Sequence, residues 1–196
     1  MAAPTWSPDG WLAAAGRCAS PNFGPRPAGV AVRLALIHSI SLPPGVYGGD
    51  AIERLFTNRL DSNAHPYYAQ LRGLEVSAHF LVRRDGALLQ FVATDDRAWH
   101  AGRSSWRGCS DCNDFSIGIE LEGLEGSTFE TPQYERLATL LTAIDRRHPL
   151  EGVAGHEHVA AGRKLDPGPG FDWGRLAAAL EWPADRFREA VEGASD

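Results

Sequence analysis

Apolar residues along this chain recur with two periods, one of about two and one near 3.6. The run Leu34-Ala35-Leu36-Ile37-His38 is almost wholly apolar and gives way to the turn-rich Ser41-Leu42-Pro43-Pro44-Gly45. That pattern predicts a buried strand over 34–38. Further strands are expected near 77–82, 87–92, 116–122 and 152–155, with Arg84-Asp85-Gly86 supplying turn chemistry between the second and third. Within Ser116-Ile117-Gly118-Ile119-Glu120-Leu121-Glu122, alternation puts Ile117, Ile119 and Leu121 on one face. Ser116, Gly118, Glu120 and Glu122 share the other, and Gly118 leaves room there for a ligand or another backbone.

Helical spacing predicts a helix near 50–60, with Ile52, Leu55 and Phe56 on one face. A longer helix is expected from Pro132 to Arg147, capped by Thr131 and turning Leu137, Leu140, Leu141 and Ile144 inward. A third should span about Trp173 to Glu181, and a short fourth should start at Pro183. Asp61 to Gly73 reads as a long connection, a kind of segment that often covers a site. Residues 1–30, dotted with Gly and Pro, read as a loosely ordered lead-in, and 183–196 as a tail. The expected fold is α/β, a single domain over 31–182 with a central mixed β-sheet flanked by α-helices.

Composition narrows this further. The chain has 196 residues, 43% of them hydrophobic, enough for one substantial core. A net charge of −6 argues against a nucleic-acid partner. The short Trp11-Leu12-Ala13-Ala14-Ala15 run does not make a signal peptide, and no apolar run reaches the roughly 18 residues that cross a bilayer. A cytoplasmic monomer without a membrane partner is expected. Of three cysteines, Cys109 and Cys112 form a C-x-x-C with neither a second pair nor nearby histidines, so reduced thiols are expected rather than structural zinc.

The chemistry concentrates in Gly155-His156-Glu157-His158 and Gly162-Arg163-Lys164-Leu165-Asp166-Pro167-Gly168. Gly and Pro let such a loop aim side chains that a regular element could not. Neutral His156 and ionised Asp166 suit zinc, whereas a Lys164 ammonium cannot be a ligand and suits an oxyanion. A catalytic zinc usually takes three protein ligands, and His38 at the end of its apolar strand is the best third. That places a zinc site at the sheet edge. One of the carboxylates on the 116–122 strand would then act as general base, and periodicity does not choose between Glu120 and Glu122.

Three segments together resemble the AmpD family of cytosolic zinc amidases, which cleave anhydro-muropeptides during cell-wall recycling. They are Leu36 to Gly45, Cys112 to Gly123 and Gly155 to Trp173, with Ser77-Ala78-His79, Arg83-Arg84-Asp85-Gly86 and Arg97-Ala98-Trp99-His100-Ala101-Gly102 matching in order between them. The fold of that family is shared with other N-acetylmuramoyl-L-alanine amidases and peptidoglycan recognition proteins. The resemblance implies Zn2+ held by His38, His156 and Asp166, with Glu120 as general base and Lys164 as transition-state cation. It also implies a muropeptide substrate, cut between the lactyl group of (anhydro-)N-acetylmuramic acid and L-alanine. Trp99 and His100 are expected to line the substrate cleft. The alternative within the fold is an amidase that does not require the anhydro sugar. A metal-free binding module would lack a ligand, and an iron oxygenase would not carry Lys164 and Glu120 beside the ligand set.

Some positions depart from the family. Ser39 stands where members carry Asn, and a shorter hydroxyl reaches fewer substrate groups. Glu75 and Asp111 stand where members carry Arg, which pairs with carboxylates. If they face the substrate, these acids should weaken recognition of stem peptides with extra carboxylates and tolerate a lysine-bearing stem. His158 is a possible competing ligand with a different spacing to Asp166.

Overall fold

The alternation of residues 116–122 appears directly in the structure, a computed structural model that describes residues 4–187 and 189. In chain order the strands are β1 (Gly16–Arg17), β2 (Phe23–Pro25), β3 (Leu34–Ile40), β4 (Phe80–Val82), β5 (Leu88–Gln90), β6 (Asp96–Ala98), β7 (Ser105–Trp106), β8 (Cys109–Ser110), β9 (Ser116–Glu122) and β10 (Gly152–Gly155). The helices are α1 (Ala51–Phe56), α2 (Pro66–Ala69), α3 (Thr131–Arg147), α4 (His156–Val159) and α5 (Trp173–Leu180). Six strands form one mixed sheet in the order β1-β5-β4-β9-β3-β10, antiparallel only between β4 and β5. The expected α/β architecture is therefore present.

Parallel β3 and β9 sit inside the sheet and are buried on both faces. One face carries Ala35, Ile37, Ile117, Ile119 and Leu121, which pack with Leu137, Leu140, Leu141 and Ile144 of α3 and with Leu176 and Leu180 of α5. On the other face Leu34 and Leu36 join Trp106 and Phe115, while Leu81 of β4 packs with Ile52, Leu55 and Phe56 of α1. Gln133 is fully buried under α3, yet its amide donates to the Val82 and Glu122 carbonyls, so its burial is compensated.

Several boundaries differ from those expected. Strand β3 continues through Ser39 to Ile40, since both residues pair with β9, so His38 lies inside the strand. Helix α3 begins at Thr131, with Glu130 as its cap: the Gln133 side chain accepts from the Glu130 backbone N–H, and the Gln133 N–H donates to the Glu130 carbonyl. Helix α1 covers only Ala51–Phe56, and within 61–73 only Pro66–Ala69 is helical. The Arg83–Ala87 turn uses Gly86 at φ 83°, as its chemistry suggested.

The lead-in is tied down over its described residues rather than loose. Leu12 enters the core, β1 extends the sheet beside β5, and β2 pairs with β6. Half-buried Arg26 donates to the carbonyls of Thr94, Asn113, Asp114 and Ser116, which compensates a charge partly taken out of water. Where a short fourth helix was expected, Ala184–Phe187 form a 3-10 turn, and residues 188 and 190–196 of the expected tail lie outside the described residues. The three cysteines are free. Among the described residues, no helix is long and apolar enough to cross a membrane.

Candidate active site

His38 on β3 stands in register with Glu120 on β9, so the sheet itself sets these two side chains beside each other. Strand β10 runs parallel to β3 on its other side and ends at Gly155, which delivers His156 next to His38. The loop after α4 returns Asp166, held by a backbone bond from Glu157 to the Asp166 carbonyl and by Gly168 donating to the Glu157 carboxylate. The site thus lies at the C-terminal ends of adjacent parallel strands, where open α/β sheets form clefts.

The geometry is tight. The Nδ1 atoms of His38 and His156 are 3.0 Å apart, and each lies 3.1 Å from Asp166 Oδ2. His156 donates its Nε2 proton to the Ala101 carbonyl at 3.1 Å, so its Nδ1 presents a lone pair to the Asp166 oxygen. Two acceptors held that close in a buried site repel each other unless a cation lies between them. Two imidazole nitrogens and one carboxylate oxygen are a donor set suited to zinc, with room for a further ligand from solvent.

Glu120 faces this centre, and one of its carboxylate oxygens is buried without a partner. Burial, reinforced by the nearby Asp166 carboxylate, raises its pKa well above the usual range, with Lys164 acting in the opposite direction. Burial also lowers His38, to about 4, against the opposing pull of Asp166. Glu122, two residues on and on the same face, is already occupied. It accepts from Arg83 at 2.7 Å and from the Gly48 backbone at 2.7 Å, and Arg83 continues to Glu53. The structure thereby separates two carboxylates that alternation left equivalent.

These groups open into a cleft of about 520 Å³. Exposed Lys164 lines it, as do half-buried Trp99 and Ser39, whose hydroxyl is buried without a partner. Exposed Leu74 and Leu165 also line it. His100 borders the same cleft, but its ring lies against β9: a Cβ on Gly118 would come within 2.5 Å of it. The space beside Glu120 that Gly118 was expected to leave is thus filled by an imidazole. Glu75 borders a separate hollow of about 170 Å³ next to the cleft, and Asp111 is an exposed residue at φ 58° that does not line the cleft. His158 is turned away from the centre, its Nδ1 accepting from the Gly155 backbone. Sequence reasoning missed Asn113, Ser77 and Arg163, which brace the 99–101 segment through side-chain hydrogen bonds. They lie in segments that match the family, but their bracing role is not legible there, because each acts across a fold-dependent contact.

The chain matches the N-acetylmuramoyl-L-alanine amidase family over residues 28–169 and belongs to it. It is 50% identical over 174 residues to the 1,6-anhydro-N-acetylmuramyl-L-alanine amidase AmpD of Citrobacter freundii, covering 88% of this chain and 93% of that one. A crystal structure of a selenomethionine AmpD derivative superposes with a TM-score of 0.87 at 48% identity, over 90% of this chain and 99% of that one. The N-acetylmuramyl-L-alanine amidase AmiD of E. coli, in complex with the substrate anhydro-N-acetylmuramic acid-L-Ala-D-gamma-Glu-L-Lys, is 29% identical with a TM-score of 0.55. That match covers 79% of this chain and 60% of AmiD.

Proposed function

We propose that this chain hydrolyses the amide bond between the lactyl group of anhydro-N-acetylmuramic acid and the L-alanine of its stem peptide. Zinc is the cofactor, held by His38, His156 and Asp166. The observation that carries this reading is the meeting of three ligand atoms within 3.1 Å, with the unpartnered Glu120 carboxylate facing them. Family membership and the AmpD and AmiD relatives support the substrate class. A zinc ion in this donor set supplies Lewis-acid polarisation of water and of the scissile carbonyl.

The residues of the chain supply the rest. Glu120 takes the proton released as water adds to the carbonyl carbon, then gives it to the departing alanine nitrogen as the C–N bond breaks. The products are a lactyl carboxylate on the sugar and a free peptide amine. Lys164, on the cleft wall, offsets the negative charge that develops on the carbonyl oxygen. Trp99, Leu74 and Leu165 offer apolar walls for sugar and peptide, and the unpartnered Ser39 hydroxyl is a donor for the substrate. An anhydro-muropeptide is a product of cell-wall turnover, so the role is in peptidoglycan recycling, with the cytoplasm as its compartment.

The test is mass spectrometry of a muropeptide mixture, half anhydro and half reducing-end sugars, after incubation with the zinc-loaded protein. Free stem peptides and anhydro-N-acetylmuramic acid should accumulate, and chelation should stop them. Cleavage at any other bond, or equal cleavage with zinc removed, defeats the proposal. Equal consumption of both sugar forms removes only the anhydro requirement.

A further inference from the structure

We infer that the segment Trp99–Ala101 fixes the imidazole tautomers of the two metal-binding histidines, with His100 as the positioning residue for His38. The inference rests on the metal reading above. It starts at Ser116, whose hydroxyl lies 2.6 Å from the Cys112 carbonyl, an atom that can only accept. The Ser116 proton is therefore committed, and its oxygen is left as an acceptor for His100 Nε2 at 3.4 Å. A neutral His100 with its proton on Nε2 presents a lone pair on Nδ1, which lies 3.0 Å from His38 Nε2. His38 must then carry its proton on Nε2, and its Nδ1 lone pair points at His156 and Asp166. Every donor in this chain meets one acceptor, and reversing any link leaves two protons or two lone pairs face to face.

The next residue does the same for the second histidine. The Ala101 carbonyl accepts from His156 Nε2 at 3.1 Å and also from Arg163 at 2.7 Å. Asn113 holds both positions in place, its Oδ1 accepting from the backbone of His100 at 3.1 Å and of Ala101 at 2.8 Å. Partners of this kind orient metal-binding imidazoles and raise their basicity. Gly118 belongs to the same device, since any side chain there would displace the His100 ring. Although His100 borders the cleft, its ring nitrogens are taken by His38 and Ser116, which assigns it to the metal rather than to the substrate.

Two measurements test this. The first is zinc affinity by chelator competition on the full chain for wild type, His100→Phe and His100→Asn. Phe keeps the ring's bulk without an acceptor, whereas Asn can place an oxygen near the position of Nδ1. His100→Phe should bind zinc about 10–100-fold more weakly, and His100→Asn should recover most of that loss. Wild-type affinity in His100→Phe, or an equal loss in both variants, overturns the proposal. The second needs no variant: 15N NMR of histidine tautomers in the metal-free wild type. His38 and His156 should both carry the proton on Nε2, and a Nδ1-protonated His38 overturns the proposal. Failure of the wild type to bind zinc would instead count against the metal reading, and the tautomer measurement still decides the role of His100.

Discussion

On one face of the central sheet, Ile37, Ile117, Ile119 and Leu121 meet Leu137, Leu140, Leu141 and Ile144 of α3. The polar group buried there, Gln133, has its amide bonded to two carbonyls. On the opposite face the same two strands present His38, Glu120 and Glu122, and Glu120 carries a buried oxygen with no partner. The first face is sealed by α3, whereas His38 and Glu120 on the second border the cleft and are still almost wholly buried. An unsatisfied buried polar atom costs about 1–3 kcal/mol, a cost that Gln133 avoids and Glu120 accepts. The unmet capacity of Glu120 lies beside the three ligand atoms, where water or substrate would meet it.

The comparison breaks most sharply at the metal. Asp166→Ala leaves two imidazoles without their carboxylate and should abolish both zinc retention on dialysis and turnover, read by elemental analysis and product formation. Full zinc and full turnover in that variant would mean the ligand set is wrong.

Within the cleft face, Glu120 and Glu122 offer a sharper contrast. Glu120→Gln should retain zinc, keep its melting temperature and lose about 10²–10⁴-fold in kcat. Glu122→Gln should do the reverse, weakening the bonds to Arg83 and Gly48 and lowering thermal stability while turnover stays within a few-fold. Equal kinetic defects would leave Glu120 without its assigned role.

On the α3 face, Leu137→Ala removes a fully buried side chain and should destabilise by about 2–5 kcal/mol in denaturant titration. Its zinc affinity below the transition should match wild type, because no cleft residue is touched. Tighter coupling between the two faces would appear as a parallel loss of zinc affinity.

The smallest effect is expected from Glu75→Arg/Asp111→Arg. Both residues lie outside the cleft and are exposed, where a charge is worth about 0–1 kcal/mol. The kcat/KM ratio for diaminopimelate- against lysine-containing muropeptides should therefore barely move. A tenfold change would place the stem peptide over the hollow beside Glu75 and restore the specificity reading that the residue types suggested.

Alternation alone determined which residues of 116–122 face α3 and which face the cleft, because a strand's side chains must alternate whatever it packs against. The 3.6 period of Leu137, Leu140, Leu141 and Ile144 likewise determined the buried stripe of α3. His38, His156 and Asp166 were legible as a possible ligand set from their residue types and from the Gly- and Pro-rich loop, and the fold brings them together. What the chain alone left open was decided by partners far away in sequence. Glu122 is withdrawn from chemistry by Gly48 and by Arg83, 39 residues before it, while Glu120 is left free. His100 borders the cleft but directs its Nδ1 at His38, 62 residues before it, because Gly118 makes room for its ring. Glu75 and Asp111 sit outside the cleft although their residue types pointed at the peptide. Periodicity follows from each residue's own backbone, so it can be read locally. Hydrogen-bond satisfaction depends on which distant donor arrives, and only the assembled tertiary structure determines that.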